Sequence, residues 1–397
     1  MASVFRAELH DVRYWPIADI AARGILFALA SPFRVNLPNM SNHPAIARAV
    51  AFCESLNFRI PILMAPMASA CPASLAIAVA NAGGLGGCGA VLMQPDTIRA
   101  WASDVRAGSN GGFQLNLWIP DPTPKRDMAT EDAVRRFLRN WGPEVAREAG
   151  DTKLPDFAAQ CESMLEAGPA VISSIMGLYP DHFVKQMKAS GIKWFATATT
   201  VSEAKTAADA GADVIIAQGM EAGGHRGAFD ATKAEACLVG LFSLLPAVAD
   251  AVKVPVVAAG GIGDGRGVAA ALLLGASAVQ IGTAFLRCPE AKVPSAWADA
   301  IGRTLPEETM ITRWFSGRPG RSIVTAYVRA SSDPSAPAPA PYPVQRGLTQ
   351  AMRDTAIKAN DIERIQAWAG QSARMSKSEP AGDVVRRLWD EAQALLR

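Results

Sequence analysis

Runs of consecutive apolar residues recur along the chain, and most are followed by a stretch in which apolar residues have helical spacing. A short apolar run between turn residues is typical of a strand buried on both faces of a parallel sheet. The pattern predicts eight such strands, at residues 60–67, 85–91, 113–120, 170–176, 193–199, 213–217, 254–259 and 278–283. Eight strands that alternate with helices predict an α/β fold, a (β/α)8 TIM barrel.

An open, doubly wound parallel sheet is the alternative architecture. Its dinucleotide-binding form carries a Gly-x-Gly-x-x-Gly motif after the first strand, and no such motif follows residues 60–67. Residues 210–213 and 274–277 each precede a predicted strand and are similar to one another, as repeated helix–strand joints would be. These observations favour the barrel.

The regular alternation covers residues 41–293, which we take as the barrel domain. Residues 1–40 lack it, and we expect a non-globular leader there, or an upstream extension before a start at Met40. A secretory signal is disfavoured, because acidic residues rather than a short basic region precede the apolar run at residues 24–30.

Residues 294–397 are predicted to form a lid or cap over the barrel. A Pro/Ala-rich stretch at residues 331–343 has the composition of a linker or an extended loop. The tail from residue 348 onward is predicted to be helical, with Trp368 and Trp389 on its apolar faces. Inside the barrel domain, a helix is predicted over residues 233–252.

Composition and charge narrow the range of functions. The 39 Lys and Arg against 37 Asp and Glu give a net charge of +2, so nothing favours a nucleic acid or an anionic membrane as partner. No apolar run approaches the ~20 residues of a membrane-spanning helix. The six cysteines lack Cys-x-x-Cys spacing and are interpreted as free thiols of a reducing compartment, the cytoplasm. The four histidines do not cluster, and no metal site is predicted.

In a TIM barrel, the residues that follow the C-terminal ends of the strands form the active-site face. The residues of this chain predicted to lie there are Ala65, Pro66, Met67, Asn116, Thr197, Thr199, Gln218, Gly223, Gly224, His225, Gly260, Gly261, Gln280, Ile281, Gly282 and Thr283.

Glycine loops follow the seventh and eighth predicted strands. Loops at these strands of a barrel commonly hold a phosphate group on glycine N–H groups and on the N-terminus of a helix. Gly260 and Gly261 precede a predicted helix start at Asp264, and Gly282–Thr283 follows the eighth strand. We therefore predict a phosphate-binding end of the site, with the start of that helix as part of it.

Amide side chains lie toward the C-terminal ends of two of the predicted strands, at Asn116 and Gln218. Such groups either cap loop backbone or recognise a heterocycle with alternating donors and acceptors, such as the pyrimidine edge of a flavin. The turn Ala65–Pro66–Met67 would offer a flat apolar wall for such a ring.

His225 directly follows the pair Gly223–Gly224. Its imidazole can change charge near neutral pH, which suits a catalytic group beside an anion-binding loop, whereas a lone histidine after a strand can also be a turn residue. A nucleophilic Cys–His pair that includes Cys71 or Cys88 is a further hypothesis, because both cysteines lie near predicted strand ends. It is disfavoured, because small buried cysteines are common core residues.

Several motifs together resemble the nitronate monooxygenase family, formerly called 2-nitropropane dioxygenases. They are PILMAPM, AGGLGG, FQLNLW, AQGMEAGGHRG, PVVAAGGIG and QIGTAF between residues 60 and 285, and ITRWFSGRPGR at residues 311–321. The resemblance implies an FMN-dependent barrel with FMN contacts at Asn116, Gln218, Gly223, Gly261 and residues 280–283. It also gives His225 the catalytic role. Residues 1–40 and 331–343 depart from the family pattern.

The resemblance further implies that the enzyme oxidises an alkyl nitronate, or a nitroalkane, with O2 to a carbonyl compound and nitrite. His225 would be a base, or an imidazolium that binds the nitronate; a homodimer is also considered. One alternative is an FMN- and NAD(P)H-dependent reductase of the enoyl-acyl-carrier-protein type, which has a similar EAGGH loop. Another is a flavin-free phosphate-binding barrel, either an isomerase or a binding protein without catalysis.

Overall fold

The computed structural model describes residues 43–397, so the predicted leader at residues 1–40 lies outside the described residues. The strands are β1 (Ile62–Met64), β2 (Gly86–Gly89), β3 (Phe113–Trp118), β4 (Val171–Ile175), β5 (Lys193–Ala198), β6 (Val214–Gln218), β7 (Gly224–His225), β8 (Val256–Ala259), β9 (Ala278–Ile281), β10 (Thr309–Thr312) and β11 (Gly320–Ile323). The helices are α1 (Pro44–Ser55), α2 (Ala73–Ala82), α3 (Pro95–Gly108), α4 (Met128–Leu138), α5 (Phe157–Ala167), α6 (Asp181–Ala189), α7 (Val201–Asp209), α8 (Leu241–Ala251), α9 (Gly265–Leu273), α10 (Ser295–Ile301), α11 (Ala326–Ser331), α12 (Val344–Leu348), α13 (Gln350–Lys358) and α14 (Ala381–Leu395).

Eight parallel strands form the barrel, in the spatial order β1-β9-β8-β6-β5-β4-β3-β2. The ring closes between β1 and β2, where Leu63 and Leu85 form a parallel bridge. The N–H of Met64 donates to the carbonyl of Leu85 at 2.9 Å, and the N–H of Leu85 donates to the carbonyl of Ile62 at 3.1 Å. The predicted (β/α)8 TIM barrel is confirmed.

The interior of the barrel is a packed core. Leu63, Phe195 and Val257, from three different strands, belong to one buried cluster that also includes Phe52 and Phe58. Phe52 lies on α1, and its ring centroid is 6.2 Å from that of Phe195. Because side chains fill the interior, a ligand site has to lie at the end of the barrel rather than inside it.

The register of the strands places predicted site residues from different strands at the same height along the barrel axis. Gln218 is paired with Ala259, and Ala259 is paired with Gln280. On the other side of Gln280, Leu63 of β1 is its partner. Parallel strands end on the same side of a barrel, so the loops after β1, β6, β8 and β9 face one another.

The outer layer includes a helix from the predicted cap. Helix α14 packs against α9 and α2. Its apolar face (Val384, Val385, Leu388 and Trp389) is part of the same buried cluster as the barrel strands and helices. Since α2 follows β1 and α9 precedes β9, α14 takes the place of the eighth helix of the barrel. The boundary between residues 293 and 294 stays a prediction.

A small antiparallel sheet covers the active-site face, and the sequence pattern did not predict it. Strands β10 and β11 form a hairpin, and β11 pairs with β7. In this pairing Gly320 lies opposite His225, and Arg321 lies opposite Gly224. The backbone of His225 is therefore paired with a segment that lies about 95 positions further along the chain.

Two helix predictions are wrong in their extent. The helix predicted at residues 233–252 begins only at Leu241, where the carboxylate of Glu221 accepts its N–H at 2.9 Å. The tail from residue 348 is not continuously helical: α13 and α14 are separated by residues 359–380, which contain only a short 3-10 turn, Ala373–Met375. Trp368 lies in this irregular segment rather than on a helix, whereas Trp389 lies on the apolar face of α14 as predicted. Across residues 43–397, no helix has both the length and the apolar character to cross a membrane.

Candidate active site

A cavity of about 500 Å³ lies at the C-terminal ends of the barrel strands, between these ends and the C-terminal part of the chain. The predicted residues that line it are Ala65, Pro66, Met67, Asn116, Thr197, Gln218, Gly223, Gly224, His225, Gly260, Gly261, Gln280, Ile281, Gly282 and Thr283. The structure therefore gathers almost every predicted residue around one space.

Thr199 is the exception, because it lies outside the cavity, and its role as a cofactor contact stays a prediction. It is buried and does not line the cavity. Its N–H and its hydroxyl both donate to the Glu203 carboxylate, at 2.7 and 2.8 Å. Both polar groups of Thr199 are therefore already bonded to Glu203, in the first turn of α7.

His225 is held by partners from three parts of the chain. Its Nε2 lies 2.7 Å from the hydroxyl oxygen of Ser316, in the loop between β10 and β11. The rings of Trp118 and Trp368 lie edge-on to the imidazole, with centroids 4.6 and 4.9 Å away. The ring therefore has one defined position at the cavity wall.

The surroundings of His225 favour its neutral form. Removal from water lowers its pKa from the usual 6.5 to about 3, and the positive charges of Arg318, Arg346 and Arg353 act in the same direction. At neutral pH the imidazole is therefore uncharged, with one nitrogen free to accept a proton. Arg346 and Arg353 also line the cavity, so this wall carries positive charge without an imidazolium.

The opposite end of the cavity is lined by backbone N–H groups. Gly260 and Gly261 adopt positive φ angles of 103° and 71°, and a Cβ on Gly260 would lie 2.9 Å from the N atom of Ala222. Within the described part of the chain, the N–H groups of Gly261, Ile262, Gly282 and Thr283 have no hydrogen-bond partner. Free N–H groups around a glycine cradle fit a phosphate group.

The N–H groups at the start of α9, which were predicted to be part of this end, already have acceptors within the protein. The carboxylate of Asp264 accepts from the N–H groups of Arg266 and Gly267 at 3.0 and 3.3 Å. The carboxylate of Glu391, from α14, accepts from the N–H of Gly265 at 3.0 Å. These donors are in use, and two carboxylates would repel an anion.

The three cavity amides that come from the barrel strands divide into two groups. Gln218 bonds loop backbone on both sides: its Nε2 donates to the carbonyl of His225 at 3.2 Å, and its Oε1 accepts from the N–H of Gly227 at 2.8 Å. The Nδ2 of Asn116 donates to the Ser173 hydroxyl at 3.0 Å, and the Oε1 of Gln280 accepts from Gln114 at 3.2 Å. Among residues 43–397, the Oδ1 of Asn116 and the Nε2 of Gln280 have no partner. One acceptor and one donor thus remain for a heterocycle.

Other hypotheses find no support in the geometry. Burial raises the pKa of the Cys71 thiol to about 12 and that of Cys88 well above its usual value, so neither thiol is ionised near neutral pH. Neither thiol lines the cavity. Within residues 43–397, no three His, Cys, Asp or Glu side chains gather in an arrangement that could hold a metal ion.

Several cavity residues come from the C-terminal part of the chain and were not identified as site residues from the sequence. They are Ser316, Tyr342, Arg346, Arg353, Trp368, Gly370 and Ser372. Ser316 lies within the motif ITRWFSGRPGR, which was the one available signal. The others lie on short helices and irregular segments, where no periodic pattern relates a residue to the barrel.

The sequence comparisons identify one family. The family model described as nitronate monooxygenase matches residues 52–391. A nitronate monooxygenase of Paraburkholderia phytofirmans is 36% identical over 337 residues, which cover 83% of this chain and 92% of that protein. A probable nitronate monooxygenase of Staphylococcus aureus is 32% identical over 347 residues, which cover 87% of this chain and 97% of that protein.

A solved structure is similar over the same region. It is a nitroalkane oxidase from Streptomyces ansochromogenes, 35% identical, with a TM-score of 0.79 over 87% of this chain and all of that one. Sequence and structural similarity thus extend beyond the barrel strands into the C-terminal part of the chain that closes the cavity.

Proposed function

Because the chain belongs to the nitronate monooxygenase family and is an oxidoreductase, we propose that it oxidises alkyl nitronates, and nitroalkanes through them, with FMN as cofactor. O2 is the oxidant, and a carbonyl compound and nitrite are the products. The observation that carries this proposal is the position of the His225 imidazole, which faces a cavity with positive charge on one wall and free N–H groups at the other end.

The residues of the cavity fit FMN. The N–H groups of Gly261, Gly282 and Thr283 would hold its phosphate, and the free amide atoms of Asn116 and Gln280 suit the pyrimidine edge of its ring system. When bound, FMN supplies the redox chemistry, while the protein contributes binding, orientation and control of water.

His225 is assigned the role of general base toward a neutral nitroalkane. The hydroxyl of Ser316 donates to the carbonyl of Arg318 at 3.3 Å, so its oxygen can accept the Nε2–H of His225 at 2.7 Å. That arrangement leaves the lone pair on Nδ1, which takes the proton from the carbon acid. Arg346 and Arg353 then lie on the wall where a nitronate anion forms.

The test is the variant His225→Asn, with His182→Asn, an exposed histidine on α6, as the matched control. We expect the His225 variant to retain FMN, measured by its absorption spectrum, and to lose about 10²–10⁴-fold of its activity toward a neutral nitroalkane. Activity toward a preformed nitronate should fall much less, because no proton has to be removed. Equal losses would instead assign His225 to nitronate binding, and full activity in the FMN-loaded variant would exclude both roles.

One measurement separates this function from its rivals. Visible spectra are followed without oxygen after addition of an alkyl nitronate or, separately, NADH. Flavin bands that change with the nitronate alone support the proposal, whereas reduction by NADH and no response to nitronate indicate the enoyl reductase type. A preparation that neither contains nor takes up flavin indicates the flavin-free barrel. A homodimer and a cytoplasmic location stay predictions.

A further inference from the structure

The C-terminal part of the chain lies against the glycine loops of the cavity. We use the name tail strap for residues 369–376, which connect Trp368 to the segment before α14. The N–H of Gln371 donates to the carbonyl of Glu221 at 2.9 Å, and the N–H of Gly370 donates to the hydroxyl of Thr283 at 3.0 Å. The tail strap is therefore bonded to the loops after β6 and β9.

The approach of the tail strap is too close for side chains on the facing loops. A Cβ on Gly223 would lie 2.5 Å from the N atom of Gly370. A Cβ on Gly263 would lie 2.8 Å from the Cβ of Met375 and 3.1 Å from that of Ser372. The tail strap is thus packed directly on the loops whose free N–H groups form the phosphate-binding end.

Ser372 presents a hydroxyl at this end of the cavity. The residue is half-buried and lines the cavity together with Gly370. Within the described residues its Oγ takes part in no hydrogen bond, although most serine hydroxyls at comparable positions in proteins find a partner. A free hydroxyl beside four free N–H groups forms a donor set for a phosphate dianion.

We propose that Ser372 is a ligand of the FMN phosphate and that the tail strap completes the phosphate-binding end of the site. This inference rests on the proposed function, because it needs FMN as the cofactor. The hydroxyl donates to a phosphate oxygen, while the glycine loops supply the N–H groups. Binding of the flavin ring would not involve Ser372, whose hydroxyl would contact only the phosphate.

The test compares two flavins that differ only in the phosphate. Full-length protein is freed of flavin, and the dissociation constants of FMN and of riboflavin are measured by quenching of flavin fluorescence. For Ser372→Ala we expect FMN to bind about tenfold more weakly or worse, since a hydrogen bond to a charged group is lost. Riboflavin, which has no phosphate, should bind as it does to the unchanged protein.

Ser372→Asp sharpens the result, because a carboxylate repels phosphate and should weaken FMN binding further while riboflavin binding changes little. Ser378→Ala, at an exposed position six residues on, is the control and should change neither constant.

Each other outcome contradicts the proposal in a distinct way. Unchanged FMN binding in Ser372→Ala overturns the role of Ser372 and leaves FMN as the cofactor. Equal weakening of FMN and riboflavin assigns Ser372 a structural role and also overturns it. If the unchanged protein binds neither flavin, the cofactor assignment fails and this inference fails with it.

Discussion

The imidazole of His225 is kept neutral by its neighbours, and this neutrality makes the folded protein less stable at acidic pH. Burial and three nearby guanidinium groups lower its pKa to about 3. A histidine in the unfolded chain has a pKa near 6.5. The unfolded state therefore takes up a proton at a pH where the folded state resists it, and His225 destabilises the fold as the pH falls below about 6.5.

The lowered pKa of His225 in the folded state gives a testable prediction about stability. Between pH 6.5 and pH 4, the free energy of unfolding of the unchanged protein should fall relative to that of His225→Asn, by at most about 1.4 kcal/mol per pH unit. Above pH 7 the difference between the two should be constant. Urea unfolding at pH 7.5, 5.5 and 4.5 measures it, and parallel pH profiles for both proteins would show that His225 is not held neutral.

Individual site residues could be predicted where they lie at the C-terminal ends of the barrel strands, because these ends form the active-site face. Asn116 lies in the C-terminal half of β3, and His225 and Gly261 lie in the segments after β6 and β8. In a closed barrel these strand ends meet whatever the loop details. Thr199 also follows a strand, but Glu203 lies one helical turn further and takes its polar groups. Trp368, which contacts His225, lies in an irregular segment, and no sequence pattern relates such a segment to a site 143 positions earlier in the chain.

At the level of elements, the start of α9 was predicted correctly as a helix start, but its N–H groups are bonded within the protein and are not free to bind phosphate. Asp264 caps α9 as its position before the helix predicted. The same capping, together with Glu391 from α14, consumes the N–H groups that would have bound phosphate. Sequence reasoning could not foresee this, because Glu391 lies more than 100 residues away and only the packing of α14 on α9 brings it there.

Glu391→Ala tests this arrangement. Loss of the carboxylate leaves the N–H of Gly265 without a partner, so the free energy of unfolding should fall by about 0.5–2 kcal/mol, as for other helix caps. FMN affinity should stay unchanged, because the start of α9 is not the phosphate site. Asp390→Ala, an exposed neighbour on α14, is the control for a changed charge. Tighter FMN binding in Glu391→Ala would place the phosphate at α9 after all.

In the whole molecule, α14 occupies the position of a barrel helix, although it begins 100 positions after the last barrel strand. The sequence pattern predicted a helical tail with Trp389 on an apolar face, and α14 is such a helix. The pattern could not identify its partners, because an apolar face of about this width fits many surfaces. Only the three-dimensional arrangement shows that α2 and α9 leave the place that α14 fills.

Leu388→Ala tests how closely α14 is coupled to the barrel. Leu388 is fully buried on α14, and such a truncation costs about 2–5 kcal/mol in a packed core. We expect a single unfolding transition at lower denaturant concentration, followed by both circular dichroism and tryptophan fluorescence. Leu395→Ala, on the same helix but 57% exposed, should change stability by less than about 0.5 kcal/mol. A separate early transition in Leu388→Ala would mean that α14 unfolds independently of the barrel.

The position of α14 also bears on how the protein is made. From Ile281, the end of β9, to Ala381, the start of α14, the chain runs 100 positions. While these residues are being synthesised, all eight barrel strands exist but the apolar groove between α2 and α9 has no helix to cover it. An exposed apolar groove on a nascent chain attracts chaperones and promotes aggregation. The groove stays uncovered until α14 has been synthesised. We therefore expect a nascent chain to remain prone to aggregation for as long as the ribosome translates residues 282–395.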